Sequence, residues 1–265
     1  SLIVSMFFAV SSFESAQASS SDWQDLGGGK ARLIASVDPK TGVVSGAVEV
    51  QLEPGWSTYW RYPGSSGIPP RFDFSASKGF TIKEVEFPTP KLVTYTIDSG
   101  GSYAGYKNNV TFPFKGEMIS SGSGSLNLNL LIGVCEEICI PARAEMSIAA
   151  NKLLISDPST VRTVSFAQLS VPKEKPAAEK IANVDMPDHD TMHIKVKHDK
   201  RFGKPALFVE GPSDWYLKPA KLVSQAENTA TFALDVSQAP EGTDILGTQL
   251  RYTLVAGTQG FDIWR

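Results

Sequence analysis

Residues 125–149 read SLNLNLLIGVCEEICIPARAEMSIA, and this stretch decides the fold. Leu126, Leu128, Leu130, Ile132 and Val134 alternate with mostly polar or small residues, and Ile140, Ala142, Ala144, Met146 and Ile148 do the same after the cysteines. That period of two is the mark of two half-buried strands. Folding them back through Glu136-Glu137-Ile138 sets Cys135 opposite Cys139. The same register pairs Val134 with Ile140, Ile132 with Ala142, Leu130 with Ala144, Leu128 with Met146 and Leu126 with Ile148. Every apolar residue then meets an apolar residue, and a slip of one would turn a whole set to the wrong face.

Opposed residues in an antiparallel pair have Cα atoms roughly 4.5–5.5 Å apart, within disulfide range. Parity places both cysteines on the side away from the apolar face. The expectation is a disulfide across a hairpin tip, pointing outward. As a staple it is weak, because chain entropy gives only about 2 kcal/mol for so small a ring. Exposed disulfides are the ones suited to exchange, which favours redox chemistry over an inert bridge. Glu136 and Glu137 lie between the sulfurs and disfavour thiolates, and Arg143 is roughly 13 Å along the strand. The pair therefore reads as one that is attacked by a partner's thiolate rather than the attacker.

The chain has 265 residues and a net charge of −3, without basic runs, which argues against nucleic acid as partner. A hydrophobic content of 42% against 20% charged residues is that of a globular protein. Residues 2–10 (LIVSMFFAV) followed by Ala16-Gln17-Ala18 resemble a secretory signal and its cleavage site. Residues 1–18 are thus read as a signal remnant, with the mature chain starting near Ser19 and no later membrane span. Export suits a lasting disulfide.

Strands are expected at 31–38 and 43–52 around the turn Asp38-Pro39-Lys40-Thr41-Gly42, and at 71–74, 81–87, 92–97 and 110–115. Residues 54–64 (PGWSTYWRYPG) pack aromatics between Pro/Gly brackets, and 98–109 (DSGGSYAGYKNN) reads as a polar loop. Short strands with turn signals and no long helical pattern make residues 22–150 an immunoglobulin-like β-sandwich in an all-β protein. Asp157 and Pro158 start a helix to about Leu169, within a helix-and-linker segment 151–183 whose PKEKP (172–176) reads as linker. Residues 184–265 form a second, smaller β domain, with strands at 192–197, 206–210, 229–234, 249–255 and 260–264 and no assigned role.

Other chemistry is thinly supported. His189, His193 and His198 are unevenly spaced and read as solvated surface residues. No phosphate loop, Ser/His/Asp set or carboxylate pair is present. The competing use of the cysteines is Cu(I) binding by two thiolates, with Met146 or Met118 as a further soft ligand, as in a periplasmic copper-tolerance module. Zinc lacks neighbouring His or Cys. The bland alternative is a structural sandwich with an inert bridge. No cofactor and no resident metal site are expected.

The motifs together resemble a known family. Gly133-Val134-Cys135-Glu136-Glu137-Ile138-Cys139-Ile140-Pro141 is similar to the G-x-C…C-x-P signature of the periplasmic N-terminal domain of the DsbD thiol:disulfide interchange family, most of all to its ScsB-type relatives with shorter cysteine spacing. Residues 54–64 resemble their PGW-x-x-YW stretch, and Tyr103-Ala104-Gly105-Tyr106 with Val110-Thr111-Phe112-Pro113 resembles the segment after their cap loop. The resemblance implies a periplasmic immunoglobulin-like domain in which Cys135 and Cys139 pass electrons between a thioredoxin-like or membrane-embedded partner and oxidised proteins. It implies a cap over residues 98–106, with Asp98, Tyr103 and Tyr106, and a site lined by Tyr59 and Trp60. It offers no counterpart for residues 184–265.

Overall fold

The computed structural model describes residues 19–64, 67–94, 101–120, 123–155, 157–212 and 214–265. The signal-like residues 1–18 and Asp98 lie outside that set. The first run of strands is β1 (Gln24–Asp25), β2 (Gly29–Val37), β3 (Val43–Leu52), β4 (Ser57–Tyr59), β5 (Arg71–Asp73), β6 (Phe80–Val85), β7 (Lys91–Thr94), β8 (Ser102–Lys107), β9 (Asn109–Met118), β10 (Ser125–Cys135) and β11 (Cys139–Ala149). They form two sheets in the orders β1-β2-β3-β9-β6 and β11-β10-β4-β8-β7, with β5 also on β10. The architecture is the all-β, immunoglobulin-like sandwich expected from the strand pattern.

Local chemistry explains the joins. Between β2 and β3 the Asp38 carboxylate accepts from the Lys40 amide at 2.8 Å, and Gly42 takes a φ of 73° that few other residues tolerate. The β10–β11 ladder has the register read from the sequence, from Ser125 opposite Ala149 to Cys135 opposite Cys139. Leu126, Leu128, Leu130, Ile132 and Val134 are all buried between the sheets, with Leu33, Val48, Phe112 and Phe114. Burying each such side chain is worth about 1.5–3 kcal/mol, so a one-residue slip of β10 would cost on the order of 10 kcal/mol. That fixes where the cysteines stand.

The expected loop 98–109 is largely a strand. Residues 102–107 form β8, central between β4 and β7. The glycine that suggests a loop instead permits close packing: a Cβ on Gly105 would lie 2.4 Å from the Thr58 carbonyl oxygen.

Two helices follow, α1 (Ala150–Leu153) and α2 (Pro158–Leu169). Asp157 caps α2 by accepting from the amides of Ser159 and Thr160, and Pro158 opens it. Val164 of α2 covers Ile34 and Ala47 on the outer side of the first sheet. The remaining elements are β12 (Lys173–Glu174), α3 (Ala177–Lys180), β13 (Ile181–Asp185), β14 (Thr191–Lys197), β15 (Ala206–Glu210), β16 (Lys221–Gln225), β17 (Thr229–Asp235), β18 (Arg251–Ala256) and β19 (Gln259–Trp264). Their sheets run β12-β19-β18-β15 and β13-β14-β17-β16 around a second core with Met192, Ile194, Val196, Phe232 and Leu254. The PKEKP segment is no free tether, since Lys173 and Glu174 pair in parallel with Phe261 and Asp262. β13 and β16 escape the sequence pattern because each is mostly exposed and bulged. His198, expected on the surface, is buried, with Nε2 2.8 Å from the Gly203 carbonyl oxygen.

The two cores meet at residues 60–62. Trp60 packs on Phe208 with ring centroids 5.8 Å apart, and Tyr62 touches both cores.

Candidate functional site

Cys135 ends β10 and Cys139 begins β11, with Cα atoms 4.1 Å apart and their sulfurs joined in a disulfide. The row continues across the sheet, because Cys135 also pairs with Ser57 of β4, and Ser57 with Lys107 of β8. Strand position makes the two ends unequal. β10 is internal and β11 is at the edge. Cys135 is 3% exposed, whereas Cys139 is exposed, as are Glu136, Glu137 and Ile138 in the tip.

The outward reading of both cysteines therefore needs correction. They do point away from the inter-sheet core, but Cys135 sits under a second small cluster of Tyr59, Val93, Tyr103 and Ile68. Tyr59 and Tyr103 stack at a tilt with centroids 4.8 Å apart. Gly133 makes room for them: a Cβ there would come within 3.0 Å of both Ile68 and the Tyr59 ring.

A polar chain runs beneath this cover. The Ser57 hydroxyl donates to the Cys135 carbonyl oxygen at 3.1 Å, which leaves the Tyr103 hydroxyl to donate to Ser57 Oγ at 2.6 Å. Thr58 Oγ1 donates to the Gly133 carbonyl oxygen at 2.7 Å. The Tyr59 hydroxyl lies 2.9 Å from Cys139 Sγ. A disulfide sulfur has no proton, so the phenol is the donor in that contact.

The sequence-named residues divide by parity. Cys135, Cys139, Tyr59 and Tyr103 come together. Trp60 and Tyr106, one and three positions further along their strands, face the inter-sheet core instead. Trp60 is fully buried, and Tyr106 stacks edge-on against Phe112 while its hydroxyl donates to the Pro88 carbonyl oxygen at 2.7 Å. Burial pushes the Tyr106 phenol well above its ordinary value, so it stays protonated there. Ser57, Ile68 and Val93 belong to the site and were not named from sequence. Ser57 was findable, since the odd-numbered residues of β4 share the face of Tyr59.

The methionines offered as copper ligands are elsewhere. Met146 is buried between the sheets on the opposite face from the sulfurs, and Met118 packs at the edge of that core. Among the described residues no group of three or more His, Cys, Asp or Glu side chains is placed to hold a metal.

Comparison with known proteins fits this geometry. Residues 30–151 match the family model of the N-terminal part of the thiol:disulfide interchange protein DsbD. This segment belongs to the DsbD N-terminal family. Residues 170–263 match a separate family described as a domain of unknown function. No curated protein matches the chain. Among solved structures the chain is similar to the N-terminal periplasmic domain of ScsB from Proteus mirabilis, with a TM-score of 0.74 and 19% identity over 93% of this chain and 97% of that one. The likeness is one of fold and takes in both β units, so the second unit has the structural counterpart that the sequence motifs did not supply.

Proposed function

We propose that this protein is a periplasmic thiol–disulfide exchange module whose Cys135–Cys139 pair carries two electrons between a reductant protein and oxidised client proteins. The observation that carries the reading is the asymmetric disulfide: in a segment of DsbD N-terminal type, one end is buried under tyrosines and the other is exposed. A partner thiolate attacks Cys139 Sγ, forming a mixed disulfide and releasing Cys135 as a thiolate that takes up a proton. The partner's second thiolate then attacks its own sulfur in that bond. Cys139 leaves as a thiolate and the partner becomes the disulfide. Client reduction is the reverse with a different protein. Thioredoxin-like or membrane-embedded thiol–disulfide proteins are the fitting partners, because exchange needs a second cysteine pair poised to resolve the intermediate. Tyr103 and the hairpin of β7 and β8 shield Cys135, so the partner's attack falls on the exposed Cys139. Export to the periplasm follows from the same reading.

The test is trapping. Cys135→Ala leaves the exposed Cys139 free and captures a thioredoxin-fold protein as a mixed disulfide, whereas Cys139→Ala leaves a buried thiol and captures little. If the wild-type disulfide resists a thioredoxin-fold reductant at every reducing potential, or if the two variants trap equally, the assignment fails.

A further inference from the structure

The stretch from Tyr59 to Ile68 links the cysteine pair to the second β unit. Tyr59 places its hydroxyl on Cys139 Sγ. The next residues are all held by the other unit. Trp60 packs on Phe208, and Arg61 grips the Glu210 carboxylate through Nε at 3.0 and 3.1 Å and a second nitrogen at 2.7 Å. The Tyr62 hydroxyl donates to the Trp215 carbonyl oxygen and accepts from the Leu217 amide at 3.3 Å. Gly64 lies so close to Leu217 that a Cβ would be 3.2 Å from its carbonyl oxygen.

Gly67 and Ile68 lie over the tyrosine. A Cβ on Gly67 would be 2.8 Å from both the Pro63 side chain and the Tyr59 ring, and the Ile68 carbonyl oxygen accepts from the Gly133 amide at 3.3 Å. Tyr59 is thus packed by Gly67 and Ile68, with Pro63 against Gly67, in a strap anchored on one side in the second unit and on the other on β10.

We propose that residues 170–263 serve as the anchor of this strap, keeping the Tyr59 phenol on Cys139 so that it stabilises the thiolate of that cysteine. The inference rests on the exchange function above. A phenol donates far better to a thiolate than to a disulfide or a thiol, so its grip matters most in the reduced state. Among the described residues the charged groups around Cys139 do not supply this stabilisation. Glu136 and Glu137 precede it in the exposed tip and oppose it. Lys107 stands three strands away in the same row, roughly 14 Å off, and Arg143 is roughly 13 Å along β11. Tyr103 is turned to Ser57. Tyr59 is the donor in contact.

The experiment follows alkylation of Cys139 in the reduced full chain as a function of pH, resolved by peptide mass spectrometry. Tyr59→Phe raises the midpoint by about one pH unit, from the loss of one hydrogen bond to a charged group. Tyr62→Phe, which changes no charge at neutral pH, raises it by a smaller amount. It adds nothing in the Tyr59→Phe background. Glu210→Gln is a sign test: loss of a carboxylate acting through its field would lower the midpoint, whereas loss of anchoring raises it. An unmoved midpoint in Tyr59→Phe overturns the donor role. An unmoved midpoint in Tyr62→Phe, additive effects, or a fall in Glu210→Gln overturns the anchor role. A merely structural contribution would lower the melting temperature without moving the midpoint. The readout needs no partner, so failure of the exchange function would show separately, as a pair that no thioredoxin-fold protein reduces.

Discussion

Arg61→Ala is the sharpest perturbation of the junction between the units. Arg61 holds Glu210 bidentately, lies 3.3 Å from Asp262, and stacks its guanidinium 4.1 Å from the Trp60 ring centre. The side chains are 16% exposed for Arg61 and Glu210 and 4% for Asp262. Burial works against the Arg61 charge, but the hydrogen bond and charge of Glu210, then Asp262, outweigh it and hold the guanidinium above its usual value. Truncation would leave both carboxylates with Arg251, which already bonds Asp262 and sits 3.7 Å from Glu210. Breaking a buried pair costs roughly 3–5 kcal/mol. The surviving cation and partial solvation place this case near the lower end, about 3 kcal/mol. For a chain of this size that is about 6–12 °C in melting temperature. The assay is thermal unfolding of Arg61→Ala beside Lys83→Ala as control. The Lys83–Glu117 pair is 63% and 54% exposed, and its loss should cost under about 1 kcal/mol. If Arg61→Ala melts within about 2 °C of the control, the network does not hold the units together and the reasoning fails.

Two further outcomes follow from single contacts. Gly133→Ala places a methyl group 3.0 Å from Ile68 and the Tyr59 ring and should lower stability by about 1–3 kcal/mol by thermal unfolding, since β10 is too well paired to move. Asp157→Ala removes the cap of α2 and should cost about 1 kcal/mol at neutral pH. Burial is the largest single influence and opposes the Asp157 charge, but the hydrogen bonds from Ser159 and Thr160 together outweigh it and hold its carboxyl below the ordinary value. Its contribution is therefore full above the ordinary carboxylate pKa and fades as pH falls through the lower folded one, so wild type and variant should converge in acid denaturation profiles.

Much of this was legible in residues 125–149 because a strand with one buried face must alternate. Two such strands joined by three residues admit one register, and Cys135 opposite Cys139 follows from it. The helix at 158–169 was legible because Asp157 and Pro158 are local signals. What stayed hidden depends on contacts between distant strands. Nothing in the hairpin says that β10 is internal and β11 an edge, yet that difference buries one cysteine and exposes the other. The strand that carries Tyr103 was hidden for a related reason. Its glycine-rich surroundings look like loop, and only the approach of Thr58 to Gly105 shows why a strand needs a glycine there. Trp60 and Tyr106 are a different matter: period two already separates Trp60 from Tyr59 and Tyr106 from Tyr103, so the sequence held that division.

The asymmetry of the disulfide bears on why it exists. A ring this small constrains the unfolded chain little, about 2 kcal/mol, and β10 and β11 already share a full ladder without it. If stability were the purpose, a bridge between the sheets would do more. Around this one, by contrast, the chain commits several residues to the sulfurs. Gly133 gives up a side chain to admit Tyr59, the Ser57 hydroxyl donates to the Cys135 carbonyl oxygen while accepting from Tyr103, and Tyr59 faces Cys139. Within three residues the same stretch passes from the disulfide to Arg61 and Tyr62, which grip the second unit. A covalent bond that needs no support for its own stability is nonetheless flanked by packing and hydrogen bonds from the first unit, in a stretch that the second unit holds. Such an arrangement makes physical sense for a bond that is meant to open and close, because its surroundings must keep the two sulfurs in register when the bond itself does not.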